Sequence, residues 1–226
     1  MFLDTLQQIQ LEDPLVLETI GELLMHEEGP FLQIGGGEGA ITKKIPEPKV
    51  IIESDFKYKE HLKNYNVYFC RVQEMFKLKQ NPKIVIANLP FNQCYQILKH
   101  CCYYFQTIQK YFVIVQLEWF QRANKKGQKL YFLMHHLFKS MKIVKHINGG
   151  CFRPVRNSNA VLLQLGPSTV VNREYIKFLE QLGKTNKSIS KSFPTVPLSE
   201  LQRLNYKKIT MLEPNELQSL WAQWIH

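Results

Sequence analysis

Five short apolar runs constrain this chain more than anything else in it. Phe31 to Ile34, Lys49 to Ile52, Val67 to Cys70, Lys83 to Ala87 and Tyr111 to Gln116 are too short for buried helices and rich in β-branched and aromatic residues, which is the composition of strands. Helix-like spacing surrounds them. Leu15, Leu17, Ile20, Leu23 and Leu24 repeat on one face of residues 14 to 28, and Ala40 to Ile45 and Gln93 to Phe105 can coil between strands. Strands alternating with helices predict an α/β fold built on a mainly parallel sheet with both faces covered. Further along, Lys129 to Lys142 is predicted helical, and Ile143 to Asn148 with Ala160 to Leu165 forms a closing antiparallel pair. Gly166-Pro167-Ser168 reads as a boundary, giving a principal domain over 1–166 and a small helical subdomain over 167–226. The amphipathic candidates in the latter are Glu174 to Leu182 and Asn215 to Trp224.

Charge is informative once it is located. The net charge is +10, and the window from Lys99 to Arg156 holds eleven Lys/Arg against a single acid, Glu118, so the excess originates there. Aromatic residues interleave this window, among them Tyr103, Tyr104, Phe112, Trp119 and Tyr131. Basic side chains around an aromatic core suit a polyanionic partner such as nucleic acid, while a solvated charged face is the plainer alternative. The apolar stretches fall far short of the roughly 20 residues a membrane helix needs, so no membrane span is expected. Met1-Phe2-Leu3-Asp4 lacks the basic and apolar regions of a secretory or transit peptide, and none is expected. The cysteines, Cys70, Cys94, Cys101, Cys102 and Cys151, are odd in number and lack paired spacing, which predicts free thiols in a reducing compartment and no metal. His100-Cys101-Cys102 reads as helix packing, because adjacent side chains on a helix point apart.

Three clusters carry chemistry. Gly35-Gly36-Gly37-Glu38-Gly39 follows the first strand, where glycines let the backbone approach a ligand closely. It lacks the Gly-Lys-Ser/Thr ending of a P-loop and the full spacing of a dinucleotide fingerprint, which disfavours triphosphate hydrolysis. Glu53 ends the second strand, in position to accept hydrogen bonds from both ribose hydroxyls. Glycine turn and downstream acid together indicate an adenosine-type cofactor, either a nicotinamide dinucleotide or S-adenosylmethionine. Asn88-Leu89-Pro90-Phe91 then closes the fourth strand: an amide that both donates and accepts, a fixed turn and an aromatic face. It reads either as a holder for a flat polar base or as a turn whose Asn caps the next helix.

In this order and spacing, these clusters resemble the rRNA adenine N6-dimethyltransferases, the family of the KsgA and Erm enzymes. Gln116, Glu118 and Arg122, then Gly127, Lys129 and Tyr131, are similar to that family's Q-x-E-x-x-x-R and G-x-K-x-Y run, and Phe152-Arg153-Pro154 with Val161 to Leu165 to its F-x-P strand region. The resemblance implies a Rossmann-like S-adenosylmethionine-dependent methyltransferase sheet with a small C-terminal helical subdomain that contacts RNA. It implies that Gln33, Gly35, Gly37, Gly39, Glu53, Gln73 and Asn88 bind S-adenosylmethionine, and that Asn88, Leu89, Pro90 and Phe91 form the catalytic loop. Phe91 and Phe152 would stack on the two faces of an extruded adenine. Lys125, Lys126, Lys129, Arg153 and Arg156 would grip RNA. The expected partner is small-subunit rRNA or the pre-ribosomal small subunit, met by a monomer in a mitochondrial, nucleolar or cytoplasmic setting. The chain departs from the family at Gln33 and Gln73, where acids are usual, at Gly36 in place of proline, and at Arg156, Ser158 and Ala160 in place of Pro, Val and Ser. The family's Phe-Leu-x-Asp pattern aligns with Phe2 and Leu3, with Asp4 one position early. The resemblance implies one of two functions: N6-methylation, as dimethylation, of adenines near the 3′ end of small-subunit rRNA, coupled to small-subunit biogenesis, or a non-catalytic RNA-binding role as a ribosome-assembly factor or mitochondrial transcription factor.

Overall fold

The computed structural model describes residues 9–77, 80–169, 173–182, 209–213, 216–217 and 220–222. The chain opens with a two-residue strand β1 (Gln10–Leu11) and helix α1 (Pro14–Met25). Asp13 starts that helix: its side chain accepts from the Val16 amide at 2.9 Å, and Pro14 occupies the first turn, where a missing N–H costs nothing. Strands β2 (Phe31–Ile34), β3 (Lys49–Glu53), β4 (Val67–Phe69), β5 (Ile84–Asn88) and β6 (Lys110–Gln116) follow, with the short helix α2 (Lys59–Leu62) before β4 and α3 (Cys94–Tyr104) between β5 and β6. Then come α4 (Leu117–Ala123), α5 (Lys129–Leu137), β7 (Met141–Ile147), β8 (Phe152–Arg153), β9 (Ala160–Leu165) and α6 (Arg173–Leu182).

Seven strands form one sheet in the order β4-β3-β2-β5-β6-β9-β7. The pairs from β4 to β6 are parallel, and β9 lies antiparallel to both β6 and β7. Both faces are covered, so the strands are apolar throughout instead of alternating with polar residues. The pleat divides them between two layers. Ile84 and Ile86 of β5 pack with Val16, Ile20 and Leu24 of α1, while Val85 and Ala87 face Ile97, Leu98 and Cys101 of α3. The same second layer takes in Phe132 and Leu137 of α5 and Ile176, Phe178 and Leu179 of α6, together with Leu212, Leu217 and Leu220. The described part of 167–226 therefore buries its apolar face on the principal core.

All five anticipated parallel strands form, and so does the antiparallel pair. Other expectations shift. Ala40 to Ile45 makes only a 3₁₀ turn over Thr42–Lys44, because Ile45 is already extended (φ −87°, ψ 126°) ahead of Pro46, as a residue before proline prefers. The helix expected over Lys129 to Lys142 stops at Leu137: Phe138 is extended and bridges Ser168, and Met141 onward pairs with β9. Helix α4 and strand β1 were not anticipated. The candidate helix Asn215 to Trp224 lies in part outside the described residues. Cys101 and Cys102 are buried on α3, and the His100 ring bonds the Gln96 carbonyl at 2.6 Å.

Candidate active site

The sheet reverses direction of growth at β2, whose neighbours β3 and β5 lie on opposite sides, and ligands of such sheets bind in the crevice beyond the strand ends at that point. Register puts three candidate residues level there. Ile34 pairs with both Ile52 and Ala87, so the next residues, Gly35, Glu53 and Asn88, emerge side by side. Gly35, Gly37 and Gly39 adopt φ of 80°, 51° and 85°, which other residues adopt only with strain. A side chain at Gly35 would meet only open space, so the backbone there is free for a ligand to approach.

Glu53 is 4% exposed. Its Oε2 accepts from the Gly37 amide at 2.9 Å and its Oε1 from the Asp55 amide at 2.8 Å. A carboxylate offers about four lone-pair sites, so acceptor capacity remains for two ribose hydroxyls. Gln33 is 1% exposed and braces the same turn from beneath: its Nε2 donates to the Gly35 carbonyl at 3.1 Å and its Oε1 accepts from the Thr42 hydroxyl at 2.8 Å. Gln73 is exposed in the 3₁₀ turn Val72–Lys77 that follows β4.

The Asn88 loop is held from three directions. Asn88 Nδ2 donates to the Ile9 carbonyl at 2.9 Å, and the Leu89 amide donates to the Ile114 carbonyl at 3.0 Å. The Pro90 carbonyl accepts from the amide of Gln93, the residue before α3, at 2.9 Å. Because a carbonyl accepts only, the Ile9 contact fixes which end of the amide is nitrogen and leaves Asn88 Oδ1 as the open acceptor. Asn88 does not cap α3; its N-cap residue is Gln93. Nearby Cys94 stays a neutral thiol, since burial pushes its pKa up to about 12.

Phe91 is half-buried, and the Arg156 guanidinium lies over its ring, 3.6 Å from the centroid. Phe152, the expected second stacking face, is 3% exposed and packed in the layer of Leu11, Val16 and Ile147. The structure therefore brings Phe91 together with Arg156 and leaves Phe152 in the core. A cleft of ≈ 340 Å³ beside the loop is lined by Ile9 and by Pro154 to Ser158.

The segment around β1 was missed as part of the site. β1 pairs antiparallel with β8, Leu11 opposite Phe152, which lays Ile9 and Gln10 across the strand ends. The Gln10 amide bonds the Tyr58 hydroxyl at 3.1 Å and lies where a side chain on Gly37 would be, with Gln10 Oε1 2.6 Å from that Cβ position. The signal was Leu11-Glu12-Asp13, which has a Leu-x-Asp spacing with Asp13 starting α1; Phe2, Leu3 and Asp4 lie outside the described residues.

The basic window is less bare than its sequence implies. Arg153 pairs with Glu12 at 2.9 Å and Glu38 at 2.8 Å, Lys126 with Glu213 at 2.7 Å, Lys110 with Glu27 and Lys99 with Glu180. Among the described residues, four of its eleven cations thus meet acids from outside the window, which a count along the chain cannot register. Lys125 and Lys129 are exposed in and beside the α4–α5 turn and have no ion-pair partner among the described residues.

A switch-point crevice with a glycine turn and a buried acid, under a sheet carrying one inserted antiparallel strand, defines a Rossmann-like methyltransferase fold. Its overall path is similar to that of a dimethyladenosine transferase from Plasmodium falciparum (TM-score 0.72, 16% identity, covering 95% of this chain and 96% of that one) and of the 23S rRNA methyltransferase ErmE (TM-score 0.63, 16% identity, covering 96% and 99%). The chain belongs to the ribosomal RNA adenine dimethylase family, whose model matches residues 4–220. Membership implies rRNA adenine as the class of substrate and S-adenosylmethionine as the methyl donor. No curated protein matches the chain. Among the described residues no helix is long and apolar enough to cross a membrane.

Proposed function

We propose that this protein transfers methyl groups, two per base, to N6 of adenines near the 3′ end of small-subunit rRNA during small-subunit biogenesis, acting as a monomer. The observation that carries this reading is the alignment of Gly35, Glu53 and Asn88 at one level of the switch point in a chain of this family. S-adenosylmethionine supplies an electrophilic methyl group when bound. Gly35 would give it close backbone approach in the turn that Gly37 and Gly39 shape, Glu53 would take the ribose hydroxyls, and exposed Gln73 would meet its adenine; Gln33 acts through the turn it braces.

The substrate adenine enters from the other side. Its exocyclic amine is a poor nucleophile because the lone pair is delocalised into the ring. When its N–H groups donate to Asn88 Oδ1 and the Leu89 carbonyl, the nitrogen is favoured in a more tetrahedral form with its lone pair directed at the methyl group. Pro90 fixes the angle between those two acceptors, and the Ile9 carbonyl keeps the Asn88 amide turned correctly. Phe91 provides a stacking face. Lys125 and Lys129 bind RNA phosphates, aided by Lys126 once Glu213 is displaced, and the 167–226 subdomain extends that contact.

Methyl transfer to immature small subunits tests the assignment. Wild type is expected to label adenines near the 3′ end, and Asn88→Ala to lose about 10²-fold or more in rate, the usual cost of deleting one positioned polar group. Undiminished labelling by Asn88→Ala would refute the mechanism.

A second reading, an RNA-binding assembly or transcription factor without turnover, is favoured by Gln33, whose amide is spent inside the protein where the family has an acid. Calorimetric titration with S-adenosylmethionine separates the two, since saturable binding counts against a purely structural role.

A further inference from the structure

The target base needs two stacking faces, and the core position of Phe152 leaves one of them unassigned. The group that meets Phe91 is Arg156, which the family's pattern has as proline. Its guanidinium carbon stands 3.6 Å from the Phe91 centroid, the separation of two stacked planes. Guanidinium is planar and delocalised, stacks on aromatic rings, and stacks equally on nucleobases. The backbone beneath it is rigid: the Arg156 amide donates to the Gly149 carbonyl at 3.0 Å, and a Cβ on Gly149 would stand 2.2 Å from the Arg156 carbonyl oxygen. Only the side chain can move. It does so at the mouth of the cleft lined by Ile9 and Pro154 to Ser158, where Val155 is 73% exposed. Burial draws the guanidinium's pKa down, with Glu118 pulling the other way, so the group is already partly stripped of water.

We propose that Arg156 is the second stacking plane for the extruded adenine: the base slides between the Phe91 ring and the Arg156 guanidinium, and without a base the two planes close on each other. Arg156 is thus a base-specificity residue, distinct from the phosphate contact its charge alone suggests. The closed pair shields Phe91 from water, and opening it by about one ring thickness takes only rotation of the arginine side chain. This rests on the methyltransferase reading for its substrate.

Charge and planarity are separable by substitution. The full chain and its Arg156→Lys and Arg156→Trp variants are mixed with a short oligoadenylate containing one 2-aminopurine, whose fluorescence is quenched when stacked, and methyl transfer to immature small subunits is measured in parallel. Arg156→Lys keeps the charge, and its salt dependence of RNA binding should match wild type, yet bound 2-aminopurine should brighten and kcat/KM should fall about tenfold to a hundredfold, the scale of one lost base stack. Arg156→Trp loses the charge but keeps a plane, and should hold the quench and most of kcat/KM. Arg156→Lys behaving as wild type, or Arg156→Trp as defective as Arg156→Lys, overturns the proposal. Melting temperatures show whether each variant is folded. Wild type that quenches the probe but methylates no rRNA leaves the stack standing and removes the enzymatic reading; active wild type whose quench ignores residue 156 does the reverse.

Discussion

Gln33→Glu would restore the acid usual in this family, and the structure predicts that it harms this chain. Gln33 is 1% exposed and uses both ends of its amide: Nε2 donates to the Gly35 carbonyl at 3.1 Å while Oε1 accepts from Thr42 at 2.8 Å. A carboxylate keeps the second contact and cannot make the first. Leaving the Gly35 carbonyl unpaired costs about 1–3 kcal/mol, and an ionised carboxylate held against it costs more. The cheaper outcome is a protonated side chain whose hydroxyl donates to Gly35. Holding it protonated costs about 1.4 kcal/mol for each pH unit above the unfolded pKa of about 4.3, or roughly 4 kcal/mol at pH 7.5, which is the ceiling. The folded pKa is raised, so the folded state binds more protons and the variant's stability falls as pH rises through the window above about 4.3. Urea unfolding followed by tryptophan fluorescence should give a deficit relative to wild type of about 1 kcal/mol near pH 5 and about 3–4 kcal/mol near pH 7.5. Gln33→Met, with no charge to titrate, should show a deficit independent of pH. A Gln33→Glu deficit that stays constant or shrinks with rising pH refutes the assignment of Gln33 as a donor to the turn.

Other perturbations follow from named contacts. Gly37→Ala combines a φ of 51° with a Cβ 2.6 Å from Gln10 Oε1, so thermal unfolding should show a clear loss of stability. Gln10→Ala in that background should recover part of it, with a coupling of about 0.5–3 kcal/mol. Burial lowers the pKa of His136, whose Nδ1 lies 2.6 Å from the Phe132 carbonyl oxygen. The folded state then binds fewer protons than the unfolded one, and stability should fall as pH drops below about 6.5; His136→Phe should flatten that slope in urea titrations across pH. Replacing Lys125 and Lys129 together with Gln should reduce the logarithmic salt slope of RNA binding by about 1.5, since each phosphate contact contributes about 0.7–0.9.

The parts of the site that were legible in the sequence are those set by short-range pattern. The β2 and β5 runs, the glycine turn, Glu53 and Asn88 each occupy a strand end, and strand ends are read from apolar composition stopping at turn residues. What escaped joins residues far apart in the chain. Ile9 reaches Asn88, Gln10 lies on Gly37, and Arg153 ties Glu12 to Glu38. Arg156 covers Phe91 while Phe152, four residues earlier, turns into the core because it pairs with Leu11. Period-two alternation puts residues 152, 154 and 156 on one side of an extended strand, but β8 ends at Arg153, so that rule does not extend to Arg156. The overlong α5 has a similar cause: its apolar spacing runs on past Leu137, and only the pairing of Met141 with Leu165 takes those residues for the sheet.

Strand β9 sits between β6 and β7, yet it is the last of the three to leave the ribosome. A nascent chain ending near residue 159 has made the glycine turn, Glu53 and the Asn88 loop, but β6 still presents an open edge and β7 has no sheet neighbour. Strand edges left open in this way invite pairing with other chains. Residues 152 to 158 lie between β7 and β9, tied at one end by the pairing of β8 with β1, and their other end is fixed to the sheet only on that final insertion. Synthesis order therefore makes the glycine turn, Glu53 and the Asn88 loop first and closes the sheet beside them last, and chains truncated before Leu165 should aggregate before they can bind RNA.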